Sequence, residues 1–462
     1  MGAVALADFG STYTKVSLVD PEEGRLLARA EAPTSIATDL MDGYEAALAV
    51  AVASVSQRVQ IDERIAASSA GGGLRVAAVG LVEELTAAAA KQTALNAGAR
   101  VECVLAGSLE DRQLDALAAS RPEIVLFAGG TDGGQADLVV ENARRLAARR
   151  LDAGFVVACN AAVSDQVAAI LREEEALAEV AENVMPELGK IEVDSAREAI
   201  LRLFLEHVIG GKRLSASPDF QRMVRMPTPE AVYEATKLLA AGPGDEPGVG
   251  DVVVVDVGGA TTDVHSKRQM EAASPGIEDP LLPPPATLRT VEGDLGLRAG
   301  AAGAYEADSA WIGSQATFDA EAIRQSVSTR ARRPEWIPGT RAEVGLDGLL
   351  ATACTAHALR RHCGTMLLTR GEAGLPTLVR DGPDLREVSL ILGTGGVFSH
   401  RGDGEAILQL ALERRAARSL SPVDPQLAVD ANYVVAAAGL LATVDRAAAF
   451  RLLKRNLLIP SN

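Results

Sequence analysis

The stretch Asp251–His265, DVVVVDVGGATTDVH, constrains the fold more than any other part of this 462-residue chain. Val252 to Val255 read as a strand buried on both faces, because β-branched side chains fill a two-sided pleated sheet. The strand carries Asp256 to its end, where Gly258 and Gly259 turn the chain through backbone that a Cβ would obstruct. Thr261, Thr262 and Asp263 open the return strand. A carboxylate, backbone N–H groups and hydroxyls thus meet at one tight turn. That donor set can cradle phosphate oxygens and hold a hydrated Mg²⁺. Asp-x-Gly-Gly is also an ordinary hairpin turn, and the stretch alone does not separate the two readings.

The same design stands at residues 4–16: the apolar run Val4 to Ala7, then Asp8, Gly10, Ser11, Thr12, Thr14 and Lys15. A third glycine turn, Gly393-Thr394-Gly395-Gly396, follows the apolar run Val388–Leu392. Two acid-bearing hairpins far apart, with a late Gly-Thr-Gly-Gly, resemble the nucleotide site of the actin, sugar-kinase and heat-shock-chaperone ATPase superfamily. The resemblance implies two related α/β lobes, each giving one phosphate hairpin, and a late glycine turn lying against adenosine.

The rest of the chain permits this. Its length allows two or three domains and a sizeable core. Lys+Arg 45 against Asp+Glu 62 gives a net charge of −17, which argues against nucleic acid or an anionic membrane as a partner. No run reaches the ~18 apolar residues of a spanning helix. The first residues lack a basic region and run straight into the strand with Asp8, so no signal peptide is expected. Leu6 stands where a myristoylation signal wants Ser or Thr. Cys103, Cys159, Cys354 and Cys363 have no disulfide-framework spacing, as expected in a reducing cytoplasm.

Residues 3–33 read as strands Ala3–Ala7, Lys15–Val19 and Leu26–Ala32, with a helix from Tyr44 to Val59. A domain of residues 1–73 would carry the first hairpin. From 74 to 185 strands and helices alternate: Arg75–Val79, 81–97, Arg100–Ala106, 109–119, Ile124–Ala128, 135–149, Gly154–Cys159, 163–172. That alternation predicts a doubly wound parallel sheet, whose ligands bind at the carboxyl ends of strands. The loop Gly129-Gly130-Thr131-Asp132-Gly133-Gly134 falls at such an end. It is either an anion- or partner-contacting loop or a tight turn. Residues 186–250 read as a helical connector, and 251–462 as a second lobe with the second hairpin, the adenosine turn and a hinge helix over Asn432–Ala442. The segment 274–286, with five prolines, reads as irregular loop. The triple glycine Gly71–Gly73 reads as a turn. Cys354, His357, His362 and Cys363 suggest a metal set, but a helix over Leu349–His362 would not bring all four to one face, so a structural helix is expected.

DFGSTYTK (8–15), SSAGGGL (68–74), LFAGGTDGG (126–134), ENVMPELGK (182–190), MPTPEAV (226–232), VVDVGGATTDVHS (254–266), TVEGDLGLR (290–298) and LILGTGG (390–396) together resemble a narrower group. These are the glutamate-mutase-associated accessory proteins, the GlmL or MutL family, which shares only its name with the mismatch-repair protein. The resemblance runs from end to end and in order. It implies a two-lobed actin-like ATPase fold with ribonuclease-H-like lobes, and a doubly wound βα-repeat region in the first half. It also implies an ATP-dependent reactivating or assembly chaperone, a weak ATPase, for an adenosylcobalamin-dependent mutase such as glutamate mutase or a related aminomutase.

On that reading ATP and Mg²⁺ are the cofactors and mutase subunits the partners. Asp8 and Asp256 hold Mg²⁺ through water. Gly10, Ser11, Thr12, Thr14, Lys15, Gly258, Gly259, Thr261 and Thr262 cradle the phosphates, and Gly393, Thr394, Gly395 and Gly396 meet adenosine. Glu292 orients the attacking water and Asp263 assists the metal or the water. No tightly bound cobalamin is expected, because no histidine precedes His207 and the Asp-x-His-x-x-Gly signature is absent. Two alternatives stay open: a small-molecule kinase of the same fold, and a nucleotide-regulated scaffold with little turnover.

Overall fold

The computed structural model describes residues 2–35, 38–70, 74–210, 214–244, 246–269, 277–278, 283–370 and 376–457. Gly71–Gly73 and most of the proline-bearing segment lie outside the described residues. The chain forms two compact units, Met1–Ala67 with Ala231–Asn462, and Ser68–Glu230.

In chain order the first unit opens with β1 (Gly2–Phe9), β2 (Tyr13–Asp20), β3 (Arg25–Pro33), α1 (Leu40–Ser54) and β4 (Gln60–Ser68). The second unit alternates β5 (Leu74–Val79), α2 (Ala88–Asn96), β6 (Ala99–Leu105), α3 (Asp111–Ser120), β7 (Ile124–Gly129), α4 (Asp137–Ala147), β8 (Gly154–Cys159), α5 (Ser164–Glu173) and β9 (Ala178–Val180). It continues through α6 (Asp194–Leu203), α7 (Pro218–Met223) and β10 (Val224–Met226). After α8 (Thr228–Ala241) come β11 (Val252–Val257), β12 (Thr262–Lys267), β13 (Ile277–Glu278), β14 (Thr287–Glu292), α9 (Ala301–Ala307), α10 (Ser309–Gln315), α11 (Ala320–Arg332) and α12 (Arg341–His362). The chain ends with β15 (Thr365–Arg370), β16 (Pro376–Asp381), β17 (Leu390–Thr394), α13 (Gly396–Ser399), α14 (Gly404–Glu413), β18 (Gln426–Val429), α15 (Val435–Leu441) and α16 (Arg446–Asn456).

Within the first unit one topology is used twice. The strand order β3-β2-β1-β4 recurs as β14-β12-β11-β17, extended by β18. In each sheet a hairpin supplies the central strand and its antiparallel partner, and β17 then joins β11 in parallel. Duplicated sheets of this order, each opened by an acid-bearing hairpin, are the actin-like ATPase fold that the motifs imply. The four valines Val252–Val255 are all fully buried, which anchors β11 at the middle of its sheet. Each buried valine contributes about 1.5–3 kcal/mol of transfer energy. Val253, Val255 and Val257 face a core shared with Leu346, Leu350 and Ile391.

The second unit is a parallel sheet in the order β6-β5-β7-β8-β9, which is doubly wound as the alternation predicts. The single helix expected over 81–97 instead begins with a π-helical turn, Glu83–Ala87. Thr86 Oγ1 there accepts from the backbone N–H groups of Leu81 and Val82, which a regular first turn would leave to solvent.

Helix α12 starts earlier than expected because Thr340 caps it through the N–H of Glu343. Its histidines are committed to protein partners. His362 lies buried between Thr290 Oγ1 (2.9 Å) and Ser266 Oγ (2.8 Å), and burial pushes it down to about 3. His357 Nε2 is 3.4 Å from Asp308. Burial pushes the thiols of Cys354 and Cys363 up to about 12. Among the described residues no helix is long and apolar enough to cross a membrane.

Candidate functional site

The two hairpins close the same way. Gly10 N–H donates to Tyr13 O at 3.2 Å, and Gly258 N–H to Thr261 O at 2.9 Å. A Cβ at Gly10 would stand 2.7 Å from Tyr13 O, so the first turn admits only glycine without a shift. A Cβ at Gly259 would lie 3.6 Å from Thr12 Oγ1, which places the tips of the two turns side by side. Ser11 is exposed, and Thr12 and Thr261 keep part of their surface. Thr14 and Thr262 are turned into the fold instead: Thr14 Oγ1 meets Thr34 Oγ1 at 3.2 Å, and Thr262 Oγ1 donates to Leu295 O at 3.0 Å.

The hairpins differ in charge. In the first, Asp8 and Lys15 are cross-strand partners, with Lys15 Nζ 3.4 Å from Asp8 Oδ2. In the second, two carboxylates face each other, since Asp256 pairs with Asp263. Like charges directly opposite destabilise a sheet. Arg289 on β14 relieves one of them, its guanidinium donating to Asp263 Oδ1 at 2.5 and 3.0 Å. Asp256 has no hydrogen-bonded partner among the described residues. Burial, then Asp263, and further Asp8 and Asp430, push its carboxyl up to about 7 against the attraction of Lys15. The side chain nevertheless keeps part of its surface. It is a desolvated carboxylate still open on one side.

The late glycine turn closes over this acid. Gly395 adopts φ 107°, and a Cβ there would stand 3.0 Å from Asp256 Oδ1 and 2.3 Å from Val257 O. At Gly393 a Cβ would enter the Phe398 ring at 2.7 Å. Gly396 faces open space. Thr394 Oγ1 donates to Asp430 Oδ2 at 3.0 Å. Asp430 also accepts from the N–H groups of Val434 (2.7 Å) and Val435 (2.9 Å), which fastens the start of α15 to the turn. Burial raises the Asp430 carboxyl above the usual range.

Tyr433 joins the segment ahead of α15 to the first hairpin. Its hydroxyl accepts from Lys15 Nζ at 2.8 Å and donates to Asp8 Oδ2 at 3.2 Å. Nearby, His400 Nε2 lies 3.1 Å from Glu31 Oε1, which raises the imidazole and lowers the carboxyl. Glu292 ends β14 beside Thr262. Burial raises its carboxyl, although Arg361 Nη1 donates to Glu292 Oε2 at 2.5 Å and to Asp294 Oδ1 at 2.7 Å.

Asp8, Lys15, Asp256, Asp263, Gly258, Gly259 and Gly395 are therefore neighbours, as the motifs require. Sequence reasoning missed Tyr433, Asp430, Arg289 and Arg361. Only Asp430 left a usable signal, an aspartate just ahead of a helix, where capping residues concentrate.

Among the described residues no group of three or more His, Cys, Asp or Glu is arranged to hold a metal. Asp8 and Asp256, near enough for one charge to act on the other, still suit Mg²⁺, a hard ion usually bound by one or two carboxylates plus phosphate oxygens. Asp256, desolvated and without a hydrogen-bonded partner, is the observation that fits such an ion.

In the second unit the Gly129–Gly134 loop is tied to its own surroundings. Asp132 Oδ1 accepts from Ala161 N–H (2.9 Å) and Asn183 Nδ2 (2.8 Å), while Gly133 N–H donates to Asn160 Oδ1 at 3.1 Å. Gly129, Gly130 and Gly133 take positive φ of 139°, 70° and 72°. Thr131 Oγ1 would be 2.6 Å from a Cβ at Gly134. These ties favour a braced tight turn.

A family model described as MutL protein matches residues 4–457. The chain belongs to the MutL protein family. Another MutL relative, "Protein MutL" from Clostridium tetanomorphum, is 38% identical over 469 residues, covering 99% of each chain. Among solved structures, a nucleotide-free acetone carboxylase has a TM-score of 0.40 at 12% identity, covering 95% of this MutL-family chain and 70% of the other. A ROK family glucokinase from Streptomyces griseus, in complex with glucose and AMPPNP, has a TM-score of 0.32 at 12% identity, covering 97% and 98%. Likenesses this weak assign no residue in the MutL chain.

Proposed function

We propose that this MutL-family protein binds Mg·ATP between its two hairpins and acts as an ATP-dependent reactivating or assembly factor for an adenosylcobalamin-dependent mutase. The observation that carries the nucleotide reading is Asp256, a desolvated carboxylate whose cross-strand neighbour is already neutralised by Arg289. Such a group is costly to keep unless a cation completes it. Asp8 and Asp256 would hold a hydrated Mg²⁺, which supplies charge neutralisation at the phosphates. Lys15, Ser11, Thr12, Thr261 and the N–H groups of Gly258 and Gly259 would hold phosphate oxygens. Thr14 and Thr262 brace the turns from behind. Gly393 to Gly396 form the wall for adenosine, with Thr394 locked to Asp430.

The client rests on family membership. Releasing damaged cobalamin requires prising protein surfaces apart, and an ATPase can couple this to a nucleotide-dependent change of conformation. The protein needs no cobalamin of its own for that task. Free cysteines at positions 103, 159, 354 and 363 suit work in a reducing cytoplasm.

One observation favours a second reading, that of slow turnover. Glu292, the residue proposed to orient water, is held by Arg361, and Asp263 is held by Arg289. With both acids engaged, basal hydrolysis is slow and turnover awaits a partner that rearranges them.

A steady-state ATPase assay with and without an inactivated cobalamin mutase tests the proposal. Stimulation together with recovered mutase activity is expected. Confirmed Mg·ATP binding with no stimulation and no recovery would overturn the mutase role, and stimulation by a small acceptor would favour a kinase.

A further inference from the structure

Tyr433 occupies an unusual place for a residue outside the hairpin motifs. It is 8% exposed and adopts φ 52°, a left-handed backbone that costs a side-chain-bearing residue on the order of 1 kcal/mol or more. Its N–H is tied to Asp430 O at 3.2 Å, and the next two N–H groups to the Asp430 carboxylate. The backbone is thereby fixed in the conformation that sends the side chain to the first hairpin. There the hydroxyl is bonded to both Lys15 and Asp8, and Lys15 Nζ also lies 4.0 Å from the ring centroid. A second cation, the Arg29 guanidinium, lies 5.4 Å from the same ring.

Lys15 and Asp8 are the two charged groups that the first hairpin offers to a nucleotide, so the inference rests on the nucleotide reading above. We propose that Tyr433 is a placeholder in the ligand-free protein. Its hydroxyl holds Asp8 and Lys15, and a divalent cation–polyphosphate must take both from it. The ammonium would then face the phosphate oxygens and the carboxylate the hydrated cation, while Tyr433 would lose the contacts that repay its backbone strain. Tyr433 stands two residues before α15, so its release frees the backbone just ahead of that helix. Tyr433 is a positioning residue whose effect on the ligand runs through Lys15 and Asp8.

The test is Tyr433→Phe, which keeps the ring and its contact with Lys15 and removes only the hydroxyl. Two quantities are compared with the unaltered protein: the reductive methylation rate of Lys15 without ligand, by peptide mass spectrometry, and the affinity for Mg²⁺ with a non-hydrolysable ATP analogue, by calorimetry. Loss of one competing hydrogen bond predicts Lys15 labelling about fivefold faster and binding about fivefold tighter. Tighter binding is a change that mere damage to the fold would not produce. Weaker binding in Tyr433→Phe would make the hydroxyl a ligand contact and overturn the placeholder. Binding in both proteins with unchanged Lys15 labelling would overturn the placeholder alone. Binding in neither protein would overturn the nucleotide reading and the placeholder with it.

Discussion

Asp256 and Asp263 are direct cross-strand partners on β11 and β12, yet Arg289 contacts Asp263 and not Asp256. The hairpin keeps one carboxylate neutralised and leaves the other exposed to its repulsion. Removing the Asp256 charge should therefore stabilise the ligand-free protein while abolishing its ligand. Asp256→Asn is expected to raise stability at pH 8 by roughly 1–3 kcal/mol, the order set by a carboxyl pushed up to about 7 and still partly solvated. The same variant should lose Mg·ATP binding in calorimetry. A lower Tm combined with intact binding would remove Asp256 from the site.

Arg289 should behave in the opposite sense. It is 1% exposed, and its removal would strand Asp263 opposite Asp256. Arg289→Met should cost about 3–5 kcal/mol, as for other buried pairs broken on one side. Adding Asp263→Asn should restore much of that loss, because position 263 then carries no charge for the missing guanidinium to strand. Urea denaturation of the two single variants and the double variant measures the coupling. Additive losses would show that the pair contributes no specific interaction.

The hairpins were legible because a strand, an acid and a glycine turn are contiguous, and local sterics fix their geometry. The same holds for the second unit, where Ile124–Phe127 and Gly154–Cys159 announce parallel strands through unbroken apolar runs. The counter-ions were not legible. Arg289 meets Asp263, Arg361 meets Glu292 and Tyr433 meets Lys15 only after non-local packing sets the registers, and no spacing along the chain encodes that. The hydroxyls show the converse: Thr14 and Thr262 share the composition of the exposed turn residues, yet the alternation of the strand directs them inward.

Protons should follow the nucleotide. Asp256 titrates near 7 in the ligand-free protein, so its ionisation costs stability that is fully present below its unfolded value of 3.8 and lost as pH rises toward about 7. Mg²⁺ favours the ionised form, so below about pH 7 binding must expel a proton from Asp256. Affinity for Mg·ATP should weaken toward tenfold per pH unit as pH falls below 7 and level off above it. Calorimetry at pH 6 in two buffers of different ionisation enthalpy should report release approaching one proton. Any binding retained by Asp256→Asn should release none. Equal release in both proteins would assign the proton elsewhere.

Glu292 and Arg361 provide the test of slow basal turnover. Arg361 lies 41% exposed and donates to both Glu292 and Asp294, so its removal frees Glu292 without burying a new charge. Burial already raises the Glu292 carboxyl, and loss of the cation raises it further, which makes the carboxylate a better base. Arg361→Ala should therefore increase basal ATP hydrolysis several-fold and reduce any further stimulation by a partner. Glu292→Gln should lower turnover by about a hundredfold, in line with loss of a general base, while leaving Mg·ATP affinity within about twofold. If Arg361→Ala slows hydrolysis and Glu292→Gln leaves it unchanged, the pair is structural and the water must be oriented by another group.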